Sequence, residues 1–307
     1  MRTISHSEMI TFQRCAREHK HKYIDGRVPE ETSEPLRFGS LMHRALEAWW
    51  TGKDWKAACE GEVTALALMT GYDIRWQGHR YETIAAESTF RAPITNPDTG
   101  CQSRTFELTG VLDVVAWDRA TGEKVLVEHK TTSEEIGIAS AYWRRVTALD
   151  PQVSTYHIGA RALGHDVARC EYDVIRKPGI RRLKATPEAS RKRTKAGDLY
   201  AGQRVDDESD DDLLVRLLAD IADRPDRYYA RGPIVRLAHD EREHARDIWH
   251  LTRLIRESET MDRAPRNPQS CVRYGQQCPY FGVCAGEQRI EDFAMREKKE
   301  TNHVSAV

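Results

Sequence analysis

The sequence predicts an α/β protein with a mixed central β-sheet flanked by helices. Apolar residues recur at helical spacing through residues 6–69, strand-forming segments broken by turn formers follow Tyr81, and a helix and a strand alternate beyond Asp150. The 307 residues suffice for one large domain or two small ones, and bury a sizeable core in either case.

Near the N-terminus, Ser5 followed by Glu8 fits a capping box, and Met9, Phe12, Ala16 and Tyr23 fall close to helical spacing. A helix carrying Cys15 is therefore expected over 6–24, with a loop over 26–35. Leu41, Ala45, Leu46 and Trp49 give a second helix, 36–50, its apolar face, and Gly52 stops it. A third is expected over 55–69, ending at Gly71. After Tyr81 the pattern changes to strands, with Asn96-Pro97-Asp98 and Thr121-Gly122 as turns. Segments 105–117 and 124–130 read as a β-hairpin at the centre of the sheet.

Asp150-Pro151 supplies an N-cap and a proline at the first helical position, and Gly164 closes the helix that carries Gln152 and Tyr156. In 167–175, Ala168, Cys170, Tyr172 and Val174 alternate with Arg169, Glu171 and Asp173, which suggests a strand with one wet face. Residues 176–195 hold nine basic residues and one acid, Glu188, without a hydrophobic period, so a mobile arm is expected. Six of the seven residues 206–212 are acidic and lead into a helix over 213–222 near its positive end. A long surface helix over 240–259 precedes a cysteine-bearing segment and a polar tail.

Balanced charge, 47 Lys plus Arg against 48 Asp plus Glu, leaves any attraction to a polyanion to local patches. Neither a signal-peptide run nor a membrane-length apolar stretch is present, so a cytoplasmic setting is expected. No Gly-rich phosphate loop is found, which argues against a motor activity in this chain. Seven cysteines in a reducing compartment point to metal or redox chemistry wherever they cluster, and Cys271, Cys278 and Cys284 do cluster.

A strand's period of two places Glu128 and Lys130 on one face of 125–130, with Val125, Val127 and His129 on the other. Asp113, on the partner strand, is an acid amid apolar residues, costly unless paired or bound to a cation. Two carboxylates and a lysine could form a divalent-metal site. A plain structural ion pair would produce the same local pattern. His43 lies one helical turn after Gly39, and Gln152 lies one turn before Tyr156.

In this order, Gly39 to His43, Asp113, Glu128 with Lys130, then Gln152 to Tyr156, the chain resembles the PD-(D/E)XK nucleases of the RecB-like branch. The resemblance covers most of the chain and implies a restriction-endonuclease-like core. It implies that His43, Asp113, Glu128 and the backbone carbonyl of His129 hold Mg²⁺ or Mn²⁺. Lys130 would orient or activate the attacking water, with Gln152 and Tyr156 beside the catalytic centre near the DNA. Glu87 resembles an acidic position that some relatives place next to the site.

One early cysteine, Cys15, plus the late trio in CVRYGQQCPYFGVC resembles the iron-sulfur variety of this branch, similar to the CRISPR-adaptation and AddB-type exonucleases. There a [4Fe-4S] cluster joins the N- and C-termini; zinc is the second choice. Residues 1–292 would then be one nuclease domain. It would comprise a helical insert at about 36–80, a catalytic core at about 81–176, a basic arm at about 176–205 and a helical and cluster region at about 206–292. A polar tail would fill 293–307.

The expected activity is a DNA exonuclease acting on free ends or single strands in a bacterial or phage-infected cytoplasm. Its processes would be recombination, repair, phage replication or CRISPR-type DNA processing, and a helicase or recombination protein could be its partner. A structure-specific endonuclease and an inactive DNA-binding module are the alternatives. Arg181, Arg182, Lys184, Arg191, Lys192, Arg193 and Lys195 are candidates for phosphate contact.

Overall fold

The computed structural model describes residues 1–296 except Tyr274. Of the expected polar tail, 297–307 lie outside the described residues. Strand β1 (Arg2–Ser5) runs straight into α1 (His6–Arg14), with the Ser5 hydroxyl accepting from the Glu8 N–H at 3.3 Å. The Glu8 carboxylate does not return to close the capping box. It faces His19 Nε2 at 3.0 Å and accepts from Arg2 at 2.7 Å. The single helix expected over 6–24 is broken at Cys15, whose backbone is extended at φ −160°. The chain continues as α2 (Ala16–His19), a π-helical turn (Lys20–Ile24) and β2 (Arg27–Val28).

Helix α3 (Glu34–Trp50) buries Phe38, Leu41, Met42, Ala45 and Leu46 along one side. The third expected helix divides into α4 (Trp55–Ala58) and α5 (Val63–Trp76). Gly71 does not end α5. A Cβ there would collide with Tyr229 and Ile221, so this glycine serves close packing inside a helix.

Strands β3 (Tyr81–Thr95), β4 (Gln102–Asp118) and β5 (Glu123–Thr132) form the heart of the sheet. β3 lies antiparallel along one edge of β4. The other edge is shared between β1, parallel at Phe106 to Thr109, and β5, antiparallel at Val114 to Asp118. The predicted hairpin is thus present and central. Helix α6 (Ala141–Leu149), not anticipated from sequence, precedes α7 (Pro151–Ala162), which Asp150 caps by accepting from the Gln152 N–H at 2.9 Å.

Strand β6 (Arg169–Arg176) lies parallel to β5. Its expected wet face is dry, with Glu171 and Asp173 both buried. Helices cover both faces of a sheet at its parallel strands, so these acids must find internal partners. The basic segment does not hang free as a mobile arm either. It folds back on the acidic run, with Arg182 paired to Asp210, Lys184 to Asp207 at 2.8 Å, and the Thr186 N–H bonded to the Arg204 carbonyl at 2.9 Å. Neighbouring runs of opposite charge neutralise one another.

Then follow α8 (Asp210–Asp223), α9 (Pro225–Tyr228), β7 (Tyr229–Ile234, antiparallel to β6) and α10 (Ala238–Thr260). The short β8 (Val272–Arg273), β9 (Gln276–Gln277), α11 (Phe281–Ala285) and β10 (Ala294–Met295) complete the described chain. Its two ends meet. β10 pairs antiparallel with β2, Asn267 Nδ2 donates to the Arg14 carbonyl at 2.8 Å, and the Tyr280 hydroxyl donates to the Arg27 carbonyl at 2.6 Å. Apolar clusters fill both faces of the sheet, one including Phe90, Leu112, Val153 and Ile248, the other Leu41, Leu68, Leu217 and Tyr229. Among the described residues no helix is long and apolar enough to cross a membrane.

Candidate metal centre

The ladder between β4 and β5 runs from Asp118–Glu123 to Val114–Val127 and stops there. The next residue on each strand is an acid, Asp113 and Glu128. Where the strands part, the Asp113 carboxylate takes over the pairing and accepts the His129 backbone N–H at 2.8 Å. From the other side of β4, the register Ala86–Val114 and Ser88–Leu112 sets Glu87 opposite Asp113. Glu87 has φ +47°, a left-handed conformation that a side chain adopts only under local constraint. Helix α3 brings His43, whose Nδ1 lies 3.5 Å from Asp113 Oδ1. Donor atoms of His43, Glu87 and Asp113 all fall within 4.8 Å of one another.

On the next strand, Lys130 Nζ contacts Glu128 Oε1 and donates to Gln152 Oε1 at 2.9 Å. Gln152 in turn donates from Nε2 to the Tyr156 hydroxyl at 2.6 Å. The His129 ring points to the opposite face of β5. There its Nδ1 lies 3.1 Å from Asp173 Oδ2, which also accepts from Tyr72 at 2.6 Å and Arg231 at 2.9 Å.

Burial, followed by the charge of Asp113, pushes the Glu128 carboxyl well above the ordinary carboxylate range. Burial would raise Asp113 too, but the His43 hydrogen bond and charge, with His129 and Lys130 behind it, hold it below the usual value. Lys130 and His43 are raised despite burial, Lys130 by Glu128 and Asp113, His43 by Asp113 and then Glu128. Glu128 Oε2 is buried and has no hydrogen-bond partner among the described residues. A buried carboxylate oxygen left beside a second acid is costly unless a cation compensates it. An imidazole with hard carboxylate oxygens suits Mg²⁺ or Mn²⁺, so the residues present fit such an ion.

Over residues 3–285 the sequence matches the family model of the PD-(D/E)XK nuclease superfamily. The chain belongs to this superfamily. As a PD-(D/E)XK nuclease it is a phosphodiester hydrolase with DNA as its substrate, in a superfamily that usually uses Mg²⁺ or Mn²⁺. No curated protein matches the sequence. The crystal structure of SSO0001 is similar at 14% identity and a TM-score of 0.34, covering 82% of this chain and 76% of that one, a likeness too loose to carry argument.

The fold of this nuclease sets His43 beside Asp113, Glu128 beside Lys130, and Gln152 beside Tyr156, while the close grouping of possible metal donors takes in His43, Glu87 and Asp113 without Glu128. The four singled-out cysteines line one cavity of about 480 Å³. Cys15 comes from the break after α1, Cys271 and Cys278 flank the β8–β9 turn, and Cys284 lies on α11. All seven cysteines are free, with Cys59 and Cys170 buried and Cys101 exposed. Sequence reasoning underweighted Glu87, because nothing local announces its register with Asp113. Of the Asp173, Arg231 and Tyr72 network the sequence shows only an acid set between Tyr172 and Val174, a pattern that a solvent-facing residue shares.

Proposed function

We propose that this PD-(D/E)XK nuclease is a metal-dependent DNA exonuclease of the RecB-like branch, with Asp113, Glu128, Lys130, Gln152 and Tyr156 as its catalytic residues. The observation that carries the reading is the meeting of Asp113, Glu128 and Lys130 where β4 and β5 part, with Glu128 Oε2 buried and unpartnered. His43, Asp113, Glu128 and the His129 carbonyl would hold the ion, and the 4.8 Å grouping supports adding Glu87 to that set. A bound divalent ion polarises a phosphoryl oxygen and lowers the pKa of its water. Lys130, held between Glu128 and Gln152, presents its ammonium where negative charge develops on the phosphoryl group, and Tyr156 fixes Gln152 in turn. Preorganisation of this kind costs nothing at the moment of reaction.

Cys15, Cys271, Cys278 and Cys284 are proposed ligands of a [4Fe-4S] cluster. A cavity of about 480 Å³ supports a multi-atom cluster over zinc, whose four sulfurs would close to about 2.3 Å around a single ion. Residues 1–292 are proposed to form one nuclease domain, acting in the cytoplasm on free or single-stranded DNA ends with a helicase or recombination partner. Some residues of the basic segment would contact phosphates.

The test uses anaerobically purified protein, end-labelled linear and closed circular single-stranded DNA, and Mg²⁺, Mn²⁺ or chelator, comparing wild type with Glu128→Ala. Metal-dependent loss of linear DNA alone, absent in the variant, is the expected result. Cutting of the circle would replace the exonuclease with an endonuclease, and DNA binding without cutting under any condition would make the chain a binding module.

A further inference from the structure

Helix α10 carries Arg242, Arg246, Trp249, Arg253 and Arg256 at alternating spacings of four and three residues, which places them on a single stripe. The stripe is about 21 Å long at 1.5 Å of rise per residue. Its C-terminal half faces the start of β4 across an open groove of about 920 Å³, lined by Arg104, Arg253, Arg256, Gln102, Ser103 and Trp249 among others. No acid lines the groove. Many basic side chains elsewhere among the described residues, such as Arg161 with Glu241 and Arg169 with Asp118, are paired with carboxylates, as is Arg246 of the stripe with Asp98. Arg104, Arg253 and Arg256 pair with none among the described residues, and all three are exposed.

Unpaired arginines beside an aromatic ring, on a chain of net charge −1, have no internal electrostatic purpose. Long, regularly spaced negative charge is their complement, and the half-buried Trp249, packed on the core, adds an aromatic edge to the groove. The groove shares strand β4 with the candidate metal centre. Arg104 is nine residues before Asp113 on the same strand, about 30 Å away at 3.4 Å per residue. The His244 ring of α10 lies 2.9 Å from Thr155 of α7, the helix that presents Gln152 and Tyr156. The helix that bears the stripe thus packs directly on the helix that serves the site.

We propose that this groove is a second DNA contact, in which Arg104, Arg253 and Arg256 hold the phosphates of a single strand whose other part occupies the metal centre. The proposal rests on the nuclease reading for the identity of the ligand, and its test does not need cleavage. Binding of a labelled single-stranded oligonucleotide of about 30 nucleotides is measured by anisotropy in chelator over a series of salt concentrations. The wild type is compared with the triple variants Arg104→Gln/Arg253→Gln/Arg256→Gln and Arg104→Lys/Arg253→Lys/Arg256→Lys.

The glutamine variant should bind about tenfold more weakly at low salt, with the slope of log K against log salt shallower by about 2. The lysine variant should recover most of both, because the charge is retained. A dinucleotide, too short even when fully extended to span the roughly 30 Å from site to groove, should compete with equal strength against all three proteins. Unchanged affinity and slope in the glutamine variant, an equal loss for the short oligonucleotide, or an equal loss in both triple variants would each overturn the proposal. Loss of cleavage by the wild type would sink the nuclease reading and leave this comparison intact.

Discussion

Asp173→Ala is expected to destabilise the fold by about 4 kcal/mol, since removing one partner of a buried ion pair costs roughly 3–5 kcal/mol and strands the other charge. The Asp173 carboxylate is 1% exposed and serves Arg231, Tyr72 and His129 at once. Without it, Arg231 keeps, among the described residues, the Tyr72 hydroxyl as its one hydrogen-bond acceptor, with the face of Trp76 at 3.9 Å from its guanidinium and the rings of Trp50, Tyr72 and Tyr81 farther off. Native stabilities span about 5–15 kcal/mol, so the change would consume a quarter or more of the total. Asp173→Asn, which keeps an acceptor and the shape, should cost about half as much.

The assay is equilibrium urea unfolding of the wild type, both single variants and the double variant Asp173→Leu/Arg231→Met. The double variant should recover part of the loss, because it removes the stranded Arg231 charge while Tyr72 and His129 still lose their acceptor. Burial alone would raise the Asp173 carboxyl, but Arg231 and then His129 hold it well below the ordinary carboxylate range. Its folded pKa therefore lies under its unfolded value of about 3.9, so its contribution is fully present above that value and is lost as pH falls through the folded one. The gap between wild type and Asp173→Ala should be flat across neutral pH and narrow only in strong acid. A cost below about 1 kcal/mol, or a double variant no more stable than Asp173→Ala, would refute the reasoning.

Lys130→Ala should lower the cleavage rate at least about a hundredfold while DNA affinity in chelator stays within about threefold, and unchanged turnover would remove Lys130 from the chemistry. Glu87→Gln should raise the Mn²⁺ or Mg²⁺ concentration needed for half-maximal activity by at least about tenfold, and an unshifted metal titration would leave Glu87 outside the ion's coordination. Cys278→Ala should lose bound iron and melt at a lower temperature. A well-folded variant with full iron would end the cluster assignment.

Much of the site was legible because its parts obey local periods. Glu128 and Lys130 share a face through the strand's period of two, and Gln152 and Tyr156 share one through the helix's period, so their grouping was written into spacing. The same holds for the central hairpin and for the Asp150 cap of α7. Errors arose where a residue's role depends on a distant neighbour. Gly71 looks like a helix stop until Tyr229 packs on it, and Asp173 looks solvent-facing until Arg231 arrives from another strand.

By itself, then, the sequence determined which side chains could do chemistry and on which local element each one sits. Only the tertiary structure decided that β4 and β5 part at Asp113 and Glu128, that Glu87 stands opposite Asp113 across the ladder, and that Cys15 shares one cavity with the distant trio Cys271, Cys278 and Cys284. Local spacing is set by backbone geometry within a few residues, whereas strand register, burial and charge pairing are settled by which surfaces exclude water together.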